Sequence, residues 1–265
     1  MSARRRLDQE MVRRGQADSR TRAQDLIGEG RVTVDGAPAD KASRQVSPEQ
    51  AVVVAGPPPR FVGRGGEKLD AGLDAFGIDV RDMRVVDAGS STGGFTDCVL
   101  QRGAASVLAV DVGRGQLHQR LRSDERVTVA ERTDIRAVDP DAVGAPFDLL
   151  VADLSFISLR TVLSGLVALV GEGSPLVLLV KPQFEAGREE ADRGHGVIRD
   201  PEVWRRVLLD VVRWASEAGA AIMDGMPSPI TGAEGNVEFL VHAVRAGDGP
   251  GLDVARLVAS AVEAR

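Results

Sequence analysis

The fold is decided by one stretch, Val85-Val86-Asp87-Ala88-Gly89-Ser90-Ser91-Thr92-Gly93-Gly94-Phe95-Thr96. It reads as a short apolar strand that runs into a glycine-rich turn and then into a helix. In such a turn, backbone N–H groups and glycine Cα atoms can approach a nucleotide-like ligand closely. Two phosphate-binding motifs are excluded, because the stretch has no Gly-Lys-Ser/Thr and its glycines do not follow the Gly-x-Gly-x-x-Gly spacing.

From Arg64 onward, strand-like apolar runs alternate with helical patterns, which is typical of a parallel sheet with crossover helices. The predicted strands are Arg84–Asp87, Val107–Val110, Val127–Ala130, Asp148–Ala152, Leu176–Val180, Ala220–Met223 and Glu238–Ala243. The predicted helices are Gly66–Phe76, Phe95–Arg102, Leu159–Leu169 and Pro201–Ala218. Asp200 as N-cap gives the last helix a strong start signal. These patterns predict a Rossmann-like α/β domain.

The first sixty residues predict a small α+β module. Apolar residues at helical spacing indicate a helix from Leu7 to Arg14, and Ser19 is the predicted N-cap of a second helix through Ile27. Alternating strands follow at 31–36 and 51–54, and the run Gly-Pro-Pro-Pro at 56–59 breaks regular structure. We therefore predict an N-terminal domain over 1–59, a linker over 60–63 and the larger domain over 64–265.

The charge of the chain is unevenly distributed. Its net charge of −6 argues by itself against contact with nucleic acid, because phosphates require local positive charge. Residues 1–60, however, carry a net charge of +3, and the remainder carries −9. The N-terminal module is therefore expected to bind RNA. The arginines predicted to contact RNA are Arg4, Arg6, Arg20 and Arg22, and the track is extended by Arg132, Arg136, Lys181 and Arg188.

Other classes of site are excluded by composition. One cysteine, Cys98, and three scattered histidines leave no intrachain disulfide and no usual Cys/His zinc site, so no metal is expected. No apolar run approaches the roughly 18 to 20 residues of a membrane span, and no apolar region follows the N-terminal arginines as in a signal peptide. The sequence predicts a cytoplasmic protein that does not enter a membrane.

Acidic residues also follow the second and third predicted strands of the larger domain, after the glycine-rich turn that follows the first. The pattern Asp-x-Gly-x-x-x-Gly-Gly that starts at Asp87 is that of S-adenosylmethionine methyltransferases, in which no pyrophosphate has to be held. Asp111 is suited to accept hydrogen bonds from both ribose hydroxyls of a nucleoside, and Asp134 is placed to reach an adenine amino group. The residues predicted to bind S-adenosyl-L-methionine are Asp87, Gly89, Ser90, Ser91, Thr92, Gly93, Gly94, Phe95, Asp111 and Asp134.

Two further strands each end in a charged residue. Asp153 and Lys181 directly follow buried apolar runs, at the carboxyl edge of the sheet where open α/β folds bind ligands. This placement indicates a functional role for both. Lys68 and Glu238 are also candidates, but the pattern alone leaves them open, because an isolated Lys or Glu is usually a solvated surface residue.

Five blocks of the sequence resemble the TlyA family of bacterial ribosomal RNA 2′-O-methyltransferases, which are of the FtsJ-like class. They are Asp87–Thr96, Asp111–Leu117, Ala152–Ser158, Val180–Glu185 and Gly235–Glu238. The N-terminal segment resembles the S4 RNA-binding domain expected in this family. The resemblance covers essentially the whole chain. It implies a class I methyltransferase fold, S-adenosylmethionine as cofactor, and a cytidine ribose in the ribosomal RNA of 30S and/or 50S subunits as the target.

By this resemblance, Lys68, Asp153, Lys181 and Glu238 match the catalytic Lys-Asp-Lys-Glu tetrad of the family. A ribose 2′-hydroxyl is a poor nucleophile, so a lysine made neutral by desolvation or by a neighbouring cation would help to remove its proton. We assign this role to Lys181. Asp153 is expected to orient Lys181, while Lys68 and Glu238 position the ribose.

One departure from the family pattern is Gly63, which stands where a Ser-Arg-Gly type start is expected. It predicts that the interdomain linker is looser than in relatives. Two other functional classes stay open: a pore-forming haemolysin, a label that relatives carry, and a non-catalytic ribosome-assembly factor with a vestigial cofactor pocket. The lack of a membrane span counts against the first and the intact tetrad against the second. A monomer is expected.

Overall fold

A computed structural model describes residues 4–17, 20–57, 59–187, 190, 194, 196–232 and 234–264. Ser19 and Arg188, for which the sequence predicts roles, lie outside these residues. The chain divides into two compact units, Met1–Arg60 and Phe61–Arg265. Each unit has a hydrophobic core of its own.

The first unit packs two helices against short antiparallel strands. Its elements are β1 Arg5–Arg6, α1 Leu7–Arg13, α2 Arg20–Gly28, β2 Val32–Val34, β3 Ala37–Pro38, β4 Gln45–Val46 and β5 Val52–Val54. Strand β2 lies between β3 and β5, and β1 pairs with β4. The strands that the sequence did not predict, β1, β3 and β4, have two residues each and are too short to show an alternating pattern.

The second unit is built on a seven-stranded sheet. The strands are β6 Arg84–Ala88, β7 Ser106–Asp111, β8 Val127–Glu131, β9 Leu149–Ala152, β10 Pro175–Val180, β11 Ala220–Pro227 and β12 Phe239–Arg245. The helices are α3 Gly65–Phe76, α4 Gly94–Gln101, α5 Gln119–Arg122, α6 Leu163–Ala168, α7 Pro182–Glu185, α8 Pro201–Glu217 and α9 Val254–Glu263. The order of strands across the sheet is β11-β12-β10-β9-β6-β7-β8. The predicted α/β fold is confirmed.

One edge of this sheet departs from the predicted parallel arrangement. Strands β8, β7, β6, β9 and β10 run parallel to one another, but β12 is antiparallel to both β10 and β11. The physical reason lies in the segment 228–238, whose described residues contain no helix. Parallel neighbours need a long crossover, whereas a short connection returns the chain in the opposite direction.

Alternation along the strands fills a core on each face of the sheet. Val86 in β6 belongs to the core that contains Trp204 of α8, and its neighbour Val85 belongs to the core that contains Leu69 of α3. The side chain of Asp200 accepts the backbone N–H of Glu202, so the predicted start of α8 is confirmed. Helix α9 was not predicted, although its apolar residues have helical spacing and the signal was therefore available.

Candidate active site

The glycine-rich turn between β6 and α4 is held by close backbone packing. Gly89 has a φ of +87°, and a Cβ at this position would lie 2.7 Å from the backbone oxygen of Asp153. The N–H groups of Gly89 and Ser90 both donate to the carbonyl oxygen of Val110, at 2.9 and 3.1 Å. The turn therefore brings the ends of β6, β7 and β9 to one place.

Asp87, near the end of β6, is hydrogen-bonded to Thr96 in α4 and so joins the two ends of this turn. Its side chain is fully buried, Oδ2 accepts the hydroxyl of Thr96 at 2.6 Å, and Oδ1 has no hydrogen-bond partner among the described residues. Burial raises the pKa of Asp87 to about 7. Neither Asp87 nor Gly93 lines any of the cavities beside the turn. We therefore expect both to shape the turn, and their contact with the cofactor stays a prediction.

A cavity of about 590 Å³ opens beside the turn and is here called the first cavity. This volume is in the range of small-molecule sites. Of the residues predicted to bind the cofactor, the first cavity is lined by Gly89, Ser91, Asp111 and Asp134. A small adjoining space of about 100 Å³ is lined by Ser90, Thr92, Gly94 and Phe95. Eight of the ten predicted residues thus surround one continuous region.

The two predicted acids have different surroundings. Asp111 accepts the N–H of Ser91 at 2.8 Å and the N–H of Gly113 at 2.6 Å, one on each carboxylate oxygen. Each oxygen keeps a further acceptor site, so ribose hydroxyls can still donate to it. Asp134 is held by the guanidinium of Arg136, which lowers the pKa of this carboxyl to about 2. An adenine amino group would have to share Asp134 with Arg136.

The four predicted catalytic residues lie together in two pairs. Nζ of Lys181 lies 2.6 Å from Oδ1 of Asp153, an ion pair that is not aligned as a hydrogen bond, and it donates to Oγ of Ser155 at 2.8 Å. The ammonium of Lys68 donates to the carboxylate of Glu238. Lys68 and Lys181 are only 7% and 8% exposed. The pair of Lys68 and Glu238, which the pattern left open, is therefore a buried ion pair.

All four of these residues line a second cavity, of about 570 Å³. The two large cavities share Ser91, Asp153, Ser155 and Phe156 in their walls. Two ligands, one in each cavity, would therefore meet beside Asp153. The chain has three lysines in all, Lys41, Lys68 and Lys181, so two of the three lie at this site.

Two aromatic side chains stand at the second cavity. Phe156 is 91% exposed and has a φ of +63°, and its ring centroid lies 5.2 Å from that of Phe184. Large apolar side chains are normally buried, and residues other than glycine rarely adopt a positive φ. The backbone thus holds an apolar ring in solvent at the mouth of the site, where a ligand can cover it.

Sequence reasoning missed several residues of the second cavity. They are Arg64, Ser155, Gln183, Glu234 and Asn236. Gln183, Asn236 and Ser155 all lie inside the blocks that carry the family resemblance, so those blocks held the signal. Glu234 lies one residue before the last block, Arg64 lies far from all five, and neither has a pattern of its own.

The segment 61–63 is packed tightly against α3 and α4. Phe61 is buried, the N–H of Val62 donates to Oδ2 of Asp97 at 2.9 Å, and a Cβ on Gly66 would lie 2.3 Å from the Phe61 ring. A Cβ on Gly63 would lie 2.7 Å from Oγ1 of Thr92. Gly63 therefore permits a close approach to the glycine-rich turn, and that the linker is looser than in relatives stays a prediction.

Two of the predicted RNA-binding arginines surround one carboxylate in the first unit. Arg6 donates two hydrogen bonds of 3.0 Å to the buried Asp8, and Arg20 lies 3.4 Å from the same carboxylate. Arg6 holds the pKa of Asp8 well below its usual range. Arg4 is exposed. These three arginines keep accessible surface and stay candidates for phosphate contacts.

Arg22 is placed differently. Its side chain is only 12% exposed and lies 3.5 Å from the carboxylate of Glu29. A phosphate would have to displace this partner and reach a guanidinium that is largely covered. The structure therefore argues against Arg22 as an RNA contact.

The chain is similar to known protein families along most of its length. The chain matches the FtsJ-like methyltransferase model over residues 61–245 and the S4 domain model over residues 5–52. The 16S/23S rRNA (cytidine-2′-O)-methyltransferase TlyA of Mycobacterium tuberculosis is 49% identical over 242 residues, which cover 91% of this chain and 90% of the relative. The chain belongs to the TlyA family of FtsJ-like methyltransferases. The predicted resemblance is thereby confirmed.

Other TlyA-family relatives have different names. Hemolysin A of Brachyspira hyodysenteriae is 35% identical over 240 residues, 90% of this chain and 99% of the relative. A solved structure from Streptococcus thermophilus, provisionally described as a hemolysin, superimposes with a TM-score of 0.79 at 36% identity and covers 100% of this chain and 98% of the other. No helix within the described ranges is long and apolar enough to cross a membrane.

S-adenosylmethionine is the cofactor of this TlyA-family methyltransferase, and the first cavity fits it. Gly89 leaves space where any side chain would meet backbone, which is what a cradle for a nucleoside requires. Asp111 offers acceptors for the ribose hydroxyls, and the exposed apolar Val112 lies beside it in the cavity wall for a base to cover. In the part of the chain that the structure describes, no cluster of three or more His, Cys, Asp or Glu is placed to hold a metal.

Replacing Asp111 by alanine is expected to weaken cofactor binding about 100-fold, since two hydrogen bonds from ribose to a charged acceptor are lost. Asp111→Asn should lose less, because its remaining oxygen can still accept one backbone N–H of the turn. Calorimetric titration with S-adenosylhomocysteine measures both. Asp248→Ala, an exposed carboxylate away from the cavities, is the matched control. Unchanged affinity in Asp111→Ala would remove Asp111 from the cofactor site.

Proposed function

We propose that this chain transfers a methyl group from S-adenosylmethionine to the 2′-hydroxyl of a cytidine in ribosomal RNA, within 30S and/or 50S subunits. The observation that carries the proposal is the ion pair of Lys181 and Asp153 at the wall shared by the two cavities. The name of the Mycobacterium tuberculosis relative supports the choice of cytidine ribose and of both subunits. We further propose that the protein acts as a monomer in the cytoplasm.

In this mechanism Lys181 removes the proton of the target hydroxyl. The cofactor, when bound, supplies an electrophilic methyl group on a sulfonium that is a good leaving group. Nζ of Lys181, once it has released a proton to solvent, accepts the 2′-hydroxyl proton as the oxygen attacks, and the ammonium that results is held by the Ser155 hydroxyl and by the charge of Asp153. The rest of the rate enhancement comes from holding hydroxyl and methyl in line, and the shared wall at Asp153 keeps the two ligands adjacent.

Lys68 and Glu238 are proposed to position the ribose. Both side chains are buried and line the second cavity, where the ammonium offers donors and the carboxylate offers acceptors to sugar hydroxyls. Because each neutralises the other, the pair can lie in a buried wall without an uncompensated charge. Together with Lys181 and Asp153, this pair makes up the proposed catalytic tetrad.

RNA recognition is proposed to use both units of the chain. The basic first unit, an S4 domain, contacts RNA phosphates through Arg4, Arg6 and Arg20, which gives affinity without sequence preference. The target nucleotide itself enters the second cavity, and its base stacks on the exposed ring of Phe156. Stacking on Phe156 accounts for the ring's exposure and its uncommon backbone conformation.

Phe156→Ala is expected to lower methyl transfer at limiting RNA by roughly 10- to 100-fold, since base stacking on an aromatic side chain contributes about 1–3 kcal/mol. Folding should be unaffected, because the ring is exposed. Phe156→Trp should retain activity, and Leu209→Ala, an exposed apolar truncation on α8, is the control. Initial rates over a range of RNA concentrations give the result. Equal rates for Phe156→Ala and the unaltered protein would remove Phe156 from RNA recognition.

The decisive experiment is tritium transfer from labelled S-adenosylmethionine to isolated 30S and 50S subunits, followed by mapping of 2′-O-methylation. We expect label in at least one subunit, on cytidine ribose. Absence of label from both subunits would overturn the proposal and favour an assembly factor that binds ribosomes without modifying them. Leakage of liposomes by the purified protein alone would instead revive the haemolysin hypothesis.

A further inference from the structure

The segments 153–159 and 181–185 follow the neighbouring parallel strands β9 and β10 and are joined at both ends. Next to the strands, Lys181 contacts Asp153 and Ser155. At the other end, the carboxylate of Glu185 accepts the hydroxyl of Ser158 at 2.5 Å and the N–H of Leu159 at 2.9 Å. The proposed mechanism uses the first junction and gives Glu185 no role.

The bonds of Glu185 are not those of an ordinary helix end. Its two partners are 26 and 27 residues away in sequence, so neither bond belongs to helix α7 itself. Glu185 is half-buried, burial raises the pKa of this carboxyl, and each of its oxygens receives one hydrogen bond. Glu185 lines neither of the two large cavities. It therefore acts through other residues and not by touching a substrate.

The segment that Glu185 holds is the one that needs external support. Phe156 is almost fully exposed and lies in the left-handed region of φ, and the Phe184 ring 5.2 Å from its own belongs to the segment 181–185, so its position depends on contacts between the two segments. Its position depends on the neighbouring serines: Ser155 is bonded to Lys181, and Ser158 is bonded to Glu185. Loss of the outer bond would let the segment relax and would carry Ser155 away from the lysine.

We infer that Glu185 is a positioning residue that fixes the segment carrying Asp153, Ser155 and Phe156 against the segment carrying Lys181. The inference rests on the proposed methyl transfer, in which Lys181 and Asp153 must meet the target hydroxyl together. A displacement of about 1 Å at a reacting group can cost about 100-fold in rate, so a tie that prevents it has a measurable effect.

The test compares Glu185→Ala with Glu185→Gln. The glutamine keeps an oxygen for the N–H of Leu159, and its NH₂ can donate to the Ser158 hydroxyl, so the tie is preserved without charge. We expect kcat to fall about 10- to 100-fold in Glu185→Ala, with cofactor affinity changed by less than about threefold, and to be restored in Glu185→Gln. Glu217→Ala, which removes the exposed glutamate that ends α8, is the matched control.

A second readout does not depend on activity. Hydrogen exchange of the Leu159 amide should accelerate in Glu185→Ala and stay slow in Glu185→Gln. If the unaltered protein methylates no ribosomal RNA, the proposed function fails, whereas the exchange result still reports on the tie. The inference itself is overturned if Glu185→Ala keeps the kcat of an active unaltered enzyme, if Leu159 exchange does not change, or if folded Glu185→Gln is as slow as Glu185→Ala.

Discussion

Replacing Lys181 by alanine is expected to reduce the rate of methyl transfer by about 10²- to 10⁴-fold, the usual contribution of a positioned general base. The alanine has no amine to accept the hydroxyl proton, and it leaves the carboxylate of Asp153 without its cation. Single-turnover transfer of labelled methyl to ribosomal subunits, at saturating cofactor, measures the chemical step directly. The affinity for S-adenosylhomocysteine should stay within a few-fold of the original, because Lys181 does not line the first cavity.

Two further variants separate proton removal from charge. Lys181→Arg keeps a positive charge that can pair with Asp153, but a guanidinium cannot be deprotonated in proteins, so this variant should be as slow as the alanine. Lys41→Ala, which removes the exposed lysine of the first unit, should leave the chemical step unchanged. Full activity in Lys181→Ala would eliminate the proposed mechanism. Full activity in Lys181→Arg alone would reduce the role of Lys181 to electrostatics.

Replacing Gly89 by alanine is expected to weaken cofactor binding more than 100-fold. The new Cβ would lie 2.7 Å from the backbone oxygen of Asp153, and a backbone atom cannot rotate out of the way as a side chain can. Relief of this contact must widen the gap between the turn and the segment that starts at Asp153, which together form the cofactor cradle. Titration with S-adenosylhomocysteine and the thermal unfolding midpoint give the effect on binding and on stability.

Gly77→Ala is the matched control for this substitution. Gly77 also has a positive φ, of +66°, but a Cβ there would meet no atom within 4 Å. Both alanines therefore carry the same cost of about 1 kcal/mol for a left-handed conformation, and only Gly89→Ala adds the clash. If the two variants bind S-adenosylhomocysteine equally well, close packing of Gly89 is not what forms the cradle.

The strand ends of the second unit could be predicted because each ends where an apolar run meets a charged or glycine residue. Asp111, Asp153 and Lys181 were placed in this way, and the structure puts them at one edge of the sheet. The direction of β12 could not be predicted, because the apolar pattern of a buried strand is the same whether the strand is parallel or antiparallel.

Contacts between residues that are far apart in the sequence could not be predicted from local patterns either. Lys68 and Glu238 are 170 residues apart and have no local pattern, so only the family resemblance indicated a shared role. The packing of Gly63 depends likewise on Thr92 in the glycine-rich turn, whereas Arg22 is largely covered although its partner Glu29 is only seven residues away. A positive charge or a glycine indicates what a residue can do locally. Its tertiary neighbours decide whether it is available.

The positions of the few lysines in the chain differ from those of the arginines in a way that matches their chemistry. Of 33 basic residues three are lysines, and the two in the second unit are both buried in the second cavity. All other basic residues of that unit are arginines, including those of its surface ion pairs, where only a permanent charge is required. In the second unit, the two kinds of basic residue thus meet different demands: arginine supplies a fixed cation, and lysine is present only in the second cavity, where a proton has to be exchanged or a compact donor has to fit.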